Sequence, residues 1–145
     1  MSENYIRPIS LAVLRRPSDG ALLLDAGYDT KKGSSFYRPL GGGIDFGEKS
    51  EDALIREFME EIGKEIEVVK PICVNENIFV YEGLPGHQIM FVHECRFVNE
   101  ADYSLEKIQG VEKENNFSIW RTIEQIKAEG ATIYPEILME ICAGK

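Results

Sequence analysis

The segment 50–62 constrains the fold more than any other part of the sequence, because its pattern fits a helix with one buried face. Leu54, Phe58 and Ile62 recur at every fourth position and form a single apolar face at helical spacing. Ser50 is predicted as the N-cap of this helix, and Gly63 as the residue that ends it. That apolar face must pack against the rest of a folded domain.

The same helix carries three acidic residues on a neighbouring face. Glu57, Glu60 and Glu61 fall within an arc of roughly 100° on a helix, and Arg56 lies beside them. Like charges at these spacings destabilise a helix by about 0.2–0.5 kcal/mol per pair. Two interpretations are open at this point: a solvated acidic face, or a set of oxygen ligands for a hard cation such as Mg²⁺.

Apolar runs separated by turn residues predict strands in most of the remaining chain. Residues 9–14 are predicted to form a buried strand, with 21–24 as its hairpin partner across the turn 17–20. Further strands are expected at residues 36–40, 67–74, 78–81, 88–98 and 117–120. Thr122 and Gln125 predict a capping box at the start of a short helix. This order favours an α/β domain in which a mixed sheet is covered by two or three helices.

Composition excludes several classes of function. The chain has 145 residues, 43% of them hydrophobic, which fits one domain spanning residues 1–145. A net charge of −9 argues against binding to a nucleic acid polymer, and no apolar run approaches the ~20 residues of a membrane span. Cys73, Cys95 and Cys142 are far apart and odd in number, so reduced thiols and a cytoplasmic location are expected.

The sequence around the acidic helix resembles the Nudix box. Residues 42–64 read GGIDFGEKSEDALIREFMEEIGK, against the pattern G-x5-E-x7-R-E-U-x-E-E-x-G-U with U a bulky aliphatic residue. The fixed positions all match: Gly42, Glu48, Arg56, Glu57, Glu60, Glu61 and Gly63. Phe58 is aromatic where the pattern prefers an aliphatic residue, and Lys64 replaces the final apolar residue. Neither departure touches the acids.

Resemblance to the Nudix (MutT-like) hydrolases implies a fold, an activity and a metal site. The fold would be an α/β/α sandwich with a mixed β-sheet flanked by helices. The activity would be that of a pyrophosphohydrolase, which cleaves the diphosphate linkage between a nucleoside diphosphate and another moiety. Mg²⁺, for which Mn²⁺ can substitute, would be bound by Glu57, Glu60, Glu61 and the backbone carbonyl of Gly41 or Gly42.

The resemblance also suggests roles for residues around the metal. Glu48 would orient a ligand or a metal-bound water, and Arg56 would fix an acid of the cluster. Glu114, or else Glu112, is the candidate general base in a polar segment before residues 117–120. Arg38 is the candidate phosphate contact because it precedes the glycines, and Gly42 and Gly43 would line the substrate site.

The substrate beyond the diphosphate is left open by these motifs. Nucleoside triphosphates, ADP-ribose, other nucleotide sugars and dinucleoside polyphosphates all fit, and a homodimer is possible because dimers are common in the family. Tyr37, Phe46 and Trp120 are candidates to stack on a base, although a core role is favoured for Trp120.

Three other interpretations of the motif region fit the sequence less well. A phosphate-binding P-loop would need lysine where Glu48 stands, and a dinucleotide-binding glycine loop should open a βαβ unit rather than follow two strands. A non-catalytic Nudix-like domain that senses a ligand or regulates a partner is the alternative from another class. Such members often lose metal-binding glutamates, and this chain retains them.

Overall fold

The computed structural model describes residues 4–111 and 115–143. The strands are β1 (Arg7–Leu14), β2 (Leu22–Asp29), β3 (Ser34–Pro39), β4 (Gly41–Gly43), β5 (Ile66–Tyr81), β6 (Leu84–Phe97), β7 (Lys107–Gln109), β8 (Phe117–Arg121) and β9 (Thr132–Ile133). The α-helices are α1 (Ser50–Ile62), α2 (Ile123–Ala128) and α3 (Ile137–Ala143), and a 3-10 helix spans Glu100–Ser104.

The strands form two mixed sheets. One has the order β4-β1-β6-β5 and the other the order β7-β8-β2-β3-β9. The β1–β6 and β3–β9 pairs are parallel, and the remaining pairs are antiparallel. In the part of the chain that the structure describes, no helix is long and apolar enough to cross a membrane.

Helices cover both faces of the β layer, which confirms the predicted α/β/α sandwich. Side chains alternate along β1, so that Leu11 and Val13 pack in one core cluster, whereas Ala12 and Leu14 pack in the other. The first cluster includes residues of α2 and α3, and the second includes the apolar face of α1. Burial on both faces explains why β1 reads as a continuous apolar run.

Helix α1 has the predicted bounds but not the predicted N-cap. Leu54 and Phe58 are fully buried, and Gly63 ends the helix in the left-handed conformation at φ 67°. Lys49 occupies the N-cap position instead of Ser50. The Ser50 hydroxyl lies 2.9 Å from Nε2 of His93, so its hydrogen bond links the helix to β6.

The predicted hairpin of residues 9–14 with 21–24 is wrong. Strands β1 and β2 belong to different sheets, and the ladder between them is limited to an isolated bridge of Leu22 with Arg15, just beyond β1. A strand has two edges, and those of β1 are taken by β4 and β6. Strand β2 therefore leaves the turn and pairs with β3 and β8.

The strands predicted at 67–74 and 78–81 are one continuous strand, β5, which forms a long hairpin with β6. The turn residues are Glu82 and Gly83, both at positive φ, with Tyr81 paired to Leu84.

The predicted capping box is confirmed, since the Thr122 and Gln125 side chains accept reciprocal backbone hydrogen bonds at the start of α2.

Candidate functional site

Arg56 is the centre of a hydrogen-bond network on α1. Its Nε and Nη2 donate to the two carboxylate oxygens of Glu48, at 2.8 and 2.9 Å. Its Nη1 donates to Glu57 Oε2 at 3.0 Å and to Glu60 Oε1 at 3.2 Å, and Nη2 also donates to the Gly43 carbonyl at 3.0 Å. One guanidinium thus joins the loop before the helix to two acids of the cluster.

Glu48 is held in its charged form. The Arg56 hydrogen bonds, together with a bond from the Asp45 backbone N–H at 3.0 Å, lower the pKa of Glu48 to about 2. The same contact raises the pKa of Arg56 above its ordinary value. The Glu48–Arg56 pair is therefore ionised throughout the neutral range.

Two glycines of β4 bring the backbone close to the acids. A Cβ on Gly42 would lie 2.4 Å from Cδ of Glu57, so only glycine leaves room for that carboxylate where it stands. Gly41 has φ +151°, and a Cβ there would lie 2.0 Å from the Ser10 carbonyl oxygen of β1. The pairing of β4 with β1 therefore sets how closely the backbone approaches Glu57.

Glu61 is half-buried, and one of its carboxylate oxygens, Oε1, is fully buried. Its Oε1 has no hydrogen-bond partner among the described residues. Burial is the main cause that raises the pKa of Glu61 to about 8, and repulsion by Glu57 and Asp25 adds to it, whereas Arg38 opposes the shift. A buried oxygen with excess negative charge around it is a position that a cation would stabilise.

A polar row crosses three strands on the side of the sheet that α1 covers. Asp25 of β2 is paired in register with Arg38 of β3 and with Ser118 of β8. The Ser118 hydroxyl donates to Asp25 Oδ1 at 2.8 Å, and burial raises the pKa of Asp25. Asp25 and Ser118 were missed in the sequence analysis. The available signal was an aspartate directly after the buried run 21–24.

Most of the predicted site residues lie around this network. Arg56 contacts Gly43, Glu48, Glu57 and Glu60, Gly42 lies beside Glu57, and Arg38 acts electrostatically on Glu61. Glu112 and Glu114, the candidate general bases, lie outside the described residues.

The acids are not gathered around a single point. Within the described ranges, no three acidic, histidine or cysteine side chains stand close enough together to hold a metal ion. The reason is that Glu57 and Glu60 are both turned onto Arg56. The Glu57 side chain is 16% exposed and that of Glu60 52%, so Glu60 has room to turn away from Arg56.

The three candidate stacking aromatics have different environments. Trp120 is a core residue, as favoured from the sequence, and its Nε1 donates to the Leu105 carbonyl at 2.9 Å. Tyr37 is also buried, and its hydroxyl donates a hydrogen bond to Oε1 of Glu129. Phe46 is fully exposed in the loop before α1, so its ring alone of the three is open to a ligand.

The motif and the fold are matched by a known family. The sequence model of the NUDIX domain matches residues 6–141, which includes the acidic helix and both sheets. The chain belongs to the NUDIX domain family. The predicted membership of the Nudix family is thereby confirmed, and the match extends over nearly the whole chain.

Solved structures with the same fold include other NUDIX proteins. A NUDIX hydrolase from Nitrosomonas europaea aligns with a TM-score of 0.67 at 14% identity, over 97% of this chain and 89% of the other. A MutT NUDIX hydrolase from Burkholderia pseudomallei aligns at 0.61 and 24% identity, over 84% and 87%. An ADP-ribose pyrophosphatase from Streptococcus suis aligns at 0.53 and 14%, over 81% and 75%. At these identities the likeness establishes the fold.

Membership of the NUDIX family supports a general class of activity. Nudix hydrolases act on small nucleotide derivatives, and they generally use divalent metal ions. Hydrolysis of a nucleoside diphosphate derivative is therefore the class of reaction that the family supports for this chain.

Proposed function

We propose that this chain is a Mg²⁺-dependent pyrophosphohydrolase that cleaves the diphosphate linkage between a nucleoside diphosphate and another moiety. The observation that carries the proposal is the buried Oε1 of Glu61, which has no hydrogen-bond partner in the described parts of the chain, in a carboxyl group that Glu57 and Asp25 repel. The raised pKa of Glu61 means that its ionised form is unfavourable in this position, and a bound cation would stabilise that form.

The proposed ligands are Glu57, Glu60, Glu61 and the Gly41 backbone carbonyl. All are oxygen donors, which suits Mg²⁺ and allows Mn²⁺ to substitute. When bound, the ion neutralises phosphate oxygens and acidifies the attacking water. Glu57 and Glu60, which accept hydrogen bonds from Nη1 of Arg56, would have to turn from it to serve as ligands. Their release does not free the guanidinium, because Glu48 holds its other edge through two hydrogen bonds.

Other residues of the chain are assigned to the substrate and to proton transfer. Arg38 is exposed and its charge acts on Glu61, which suits a phosphate contact, and the Gly42 and Gly43 backbone is proposed to line the substrate site. Glu114 remains the proposed general base. The buried free thiols of Cys95 and Cys142 fit the proposed cytoplasmic location. A homodimer is proposed because dimers are common in the family.

The experiment is a substrate screen in Mg²⁺, Mn²⁺ and chelator, with products identified by mass spectrometry. Nucleoside triphosphates, ADP-ribose, nucleotide sugars and dinucleoside polyphosphates are compared in ¹⁸O water. We expect a nucleoside monophosphate product, with ¹⁸O on a phosphate and none on a sugar carbon. Glu57→Gln and Glu61→Gln should each lower kcat at least 10²-fold, because each removes a metal ligand. Glu65→Gln, an exposed charge-matched control just beyond α1, should stay within twofold.

A specific observation favours one alternative, a non-catalytic ligand-sensing domain. Arg56 already pairs with Glu57 and Glu60, so the network could be complete without a metal. In that case a nucleotide would bind equally well in chelator and in Mg²⁺, with no turnover. That result would replace the hydrolase proposal.

A further inference from the structure

We propose that an amide pair, Asn77 of β5 and Gln88 of β6, binds the nucleobase of the substrate and distinguishes one base from another. This inference rests on the proposed function and extends it to the nucleoside end of the substrate. It adds residues outside the segment 42–64, on the two strands that follow the acidic helix.

Strand register places the amide pair side by side on one face of the first sheet. Gln88 is paired with Asn77 across the hairpin and with Arg7 of β1 on its other side. Met90, two residues further along β6, packs in the first core cluster, so alternation places Gln88 on that same face. The pairing of residues 73–81 with β6 runs without a shift. The amide pair therefore lies on this face just beyond Met90, the buried residue of β6 nearest the hairpin turn.

Both amide side chains have open hydrogen-bonding groups. Asn77 and Gln88 are half-buried, and neither side chain has a hydrogen-bond partner among the described residues. Each amide presents an oxygen that accepts and an NH₂ group that donates. Asn and Gln use these two groups together on the edge of a nucleobase, as they do with adenine. Amides that served only to join the two strands would bond to each other or to the backbone.

An aromatic ring lies next to the amide pair. Phe79 is on the same face of β5, two residues from Asn77, and it is paired with Gly86 of β6. Its ring lies over Gly86, since a Cβ there would be 2.3 Å from Cζ of Phe79. The ring is only partly buried. An aromatic ring can stack on the face of a heterocycle while the amides bond to its edge, a combination that fits a nucleobase better than a sugar or a phosphate.

Arg7 connects the amide pair to the glycines of β4. Its Nη2 lies 3.4 Å from the position of a Cβ on Gly43, whose carbonyl accepts a hydrogen bond from Arg56. Arg7 is exposed and, within the described ranges, its side chain has neither an ion pair nor a hydrogen bond, which suits a phosphate contact. Adjacent strands lie about 4.8 Å apart, so the backbones of Arg7 and Asn77 are about 10 Å apart across the sheet. A nucleotide with its base at the amide pair would therefore extend its phosphates past Arg7 toward the acidic site.

The test measures the binding of AMP, GMP, CMP, UMP and inorganic phosphate by isothermal titration calorimetry in Mg²⁺. These ligands have no diphosphate linkage, so turnover does not enter. Asn77→Ala and Gln88→Ala are compared with Glu76→Ala and His87→Ala, which truncate the adjacent positions on the opposite face of the same strands.

We expect wild type to bind one of the four nucleotides at least tenfold more tightly than the weakest. Each amide variant should raise Kd for that nucleotide at least fivefold and reduce the preference below threefold, because the hydrogen bonds to the base edge are lost. The two control variants should stay within twofold of wild type. Kd for inorganic phosphate should change less than twofold in all four variants, because phosphate has no base.

The remaining outcomes separate this proposal from the proposed function. Equal affinity of wild type for the four nucleotides, or equal Kd values in the amide variants and the controls, overturns the base site alone. Absence of turnover of every substrate in the screen overturns the hydrolase proposal. If the alanine variants do not fold, Asn77→Asp and Gln88→Glu replace them. These variants keep the size and the acceptors but remove the donors, and an unchanged base preference in them would overturn the proposal.

Discussion

At the scale of single residues, two adjacent glycines of β4 have different roles. A Cβ on Gly42 would lie 2.4 Å from Cδ of Glu57, whereas the nearest atom to a Cβ on Gly43 is Arg7 Nη2, at 3.4 Å. The obstacle at position 42 is the end of a flexible side chain, so the protein can accept a methyl group there by moving Glu57. The effect should therefore fall on the site and not on the fold.

Gly42→Ala is accordingly expected to lower kcat/KM at least tenfold while leaving the urea midpoint nearly unchanged. The reason is that a displacement of about 1 Å at a reacting centre can lower a rate by 10²-fold. Gly43→Ala is the matched control, and it should retain activity within threefold. Equal losses in the two variants would mean that the contact with Glu57 does not matter.

Glu61 should make the stability of the metal-free protein depend on pH. Its pKa rises from 4.5 to about 8 on folding, so between these values the folded state keeps a proton that the unfolded state has lost. The free energy of unfolding should therefore be highest below pH 4.5 for this group, and fall as pH rises toward 8.

The measurement is urea unfolding in chelator at pH 5.5 and pH 8, on wild type and Glu61→Gln. Wild type should lose stability relative to Glu61→Gln between the two pH values. Burial lowers the pKa of His93, which acts in the opposite direction, but His93 is present in both proteins and cancels in the comparison. Parallel pH profiles would show that Glu61 is not perturbed by its surroundings.

At the scale of elements, helix α1 has one buried face and one exposed face within a single turn. Phe58 is fully buried, and Met59, the next residue, is 49% exposed. Phe58→Ala should lower the free energy of unfolding by about 3–5 kcal/mol, the usual effect of removing a buried aromatic ring. Met59→Ala should change it by less than about 0.5 kcal/mol. Urea unfolding of both variants checks the assignment, and similar losses would contradict it.

The elements also show what sequence could predict. Helix α1 was predicted with its observed bounds because its periodicity and its terminal glycine are local signals. The partner of β1 was mispredicted because pairing depends on strands far along the chain, β6 above all. Asp25 was missed for a related reason: only the packing of α1 over β2 makes an ordinary aspartate a half-buried acid whose charge acts on Glu61. Serine commonly caps the N-terminus of a helix, which is why Ser50 was predicted to do so. Its hydroxyl is instead hydrogen-bonded to His93 on β6, a contact that depends on the tertiary structure.

At the scale of the whole molecule, both sheets contribute to one site. Strand β4 of the first sheet supplies the glycines beside Glu57, and β2 and β3 of the second supply Asp25 and Arg38. Helix α1 packs across residues of both, since its core cluster includes Leu14 of β1 and Leu23 of β2. The relative placement of the two sheets therefore sets the distance between the acids of the helix and the acid of the sheet.

The parallel pairing of β1 with β6 has a consequence for synthesis of the protein. Gly41 and Gly42 are positioned by β1, and the other edge of β1 is completed only by residues 88–95. Because synthesis runs from the N-terminus, every residue of the segment 42–64 is translated before that strand. Because long-range parallel contacts form slowly, the sheet on which the apolar face of α1 packs is completed only after the helix has been synthesised. We therefore expect the glutamates to be carried on an unpaired, chaperone-accessible segment until β6 has emerged.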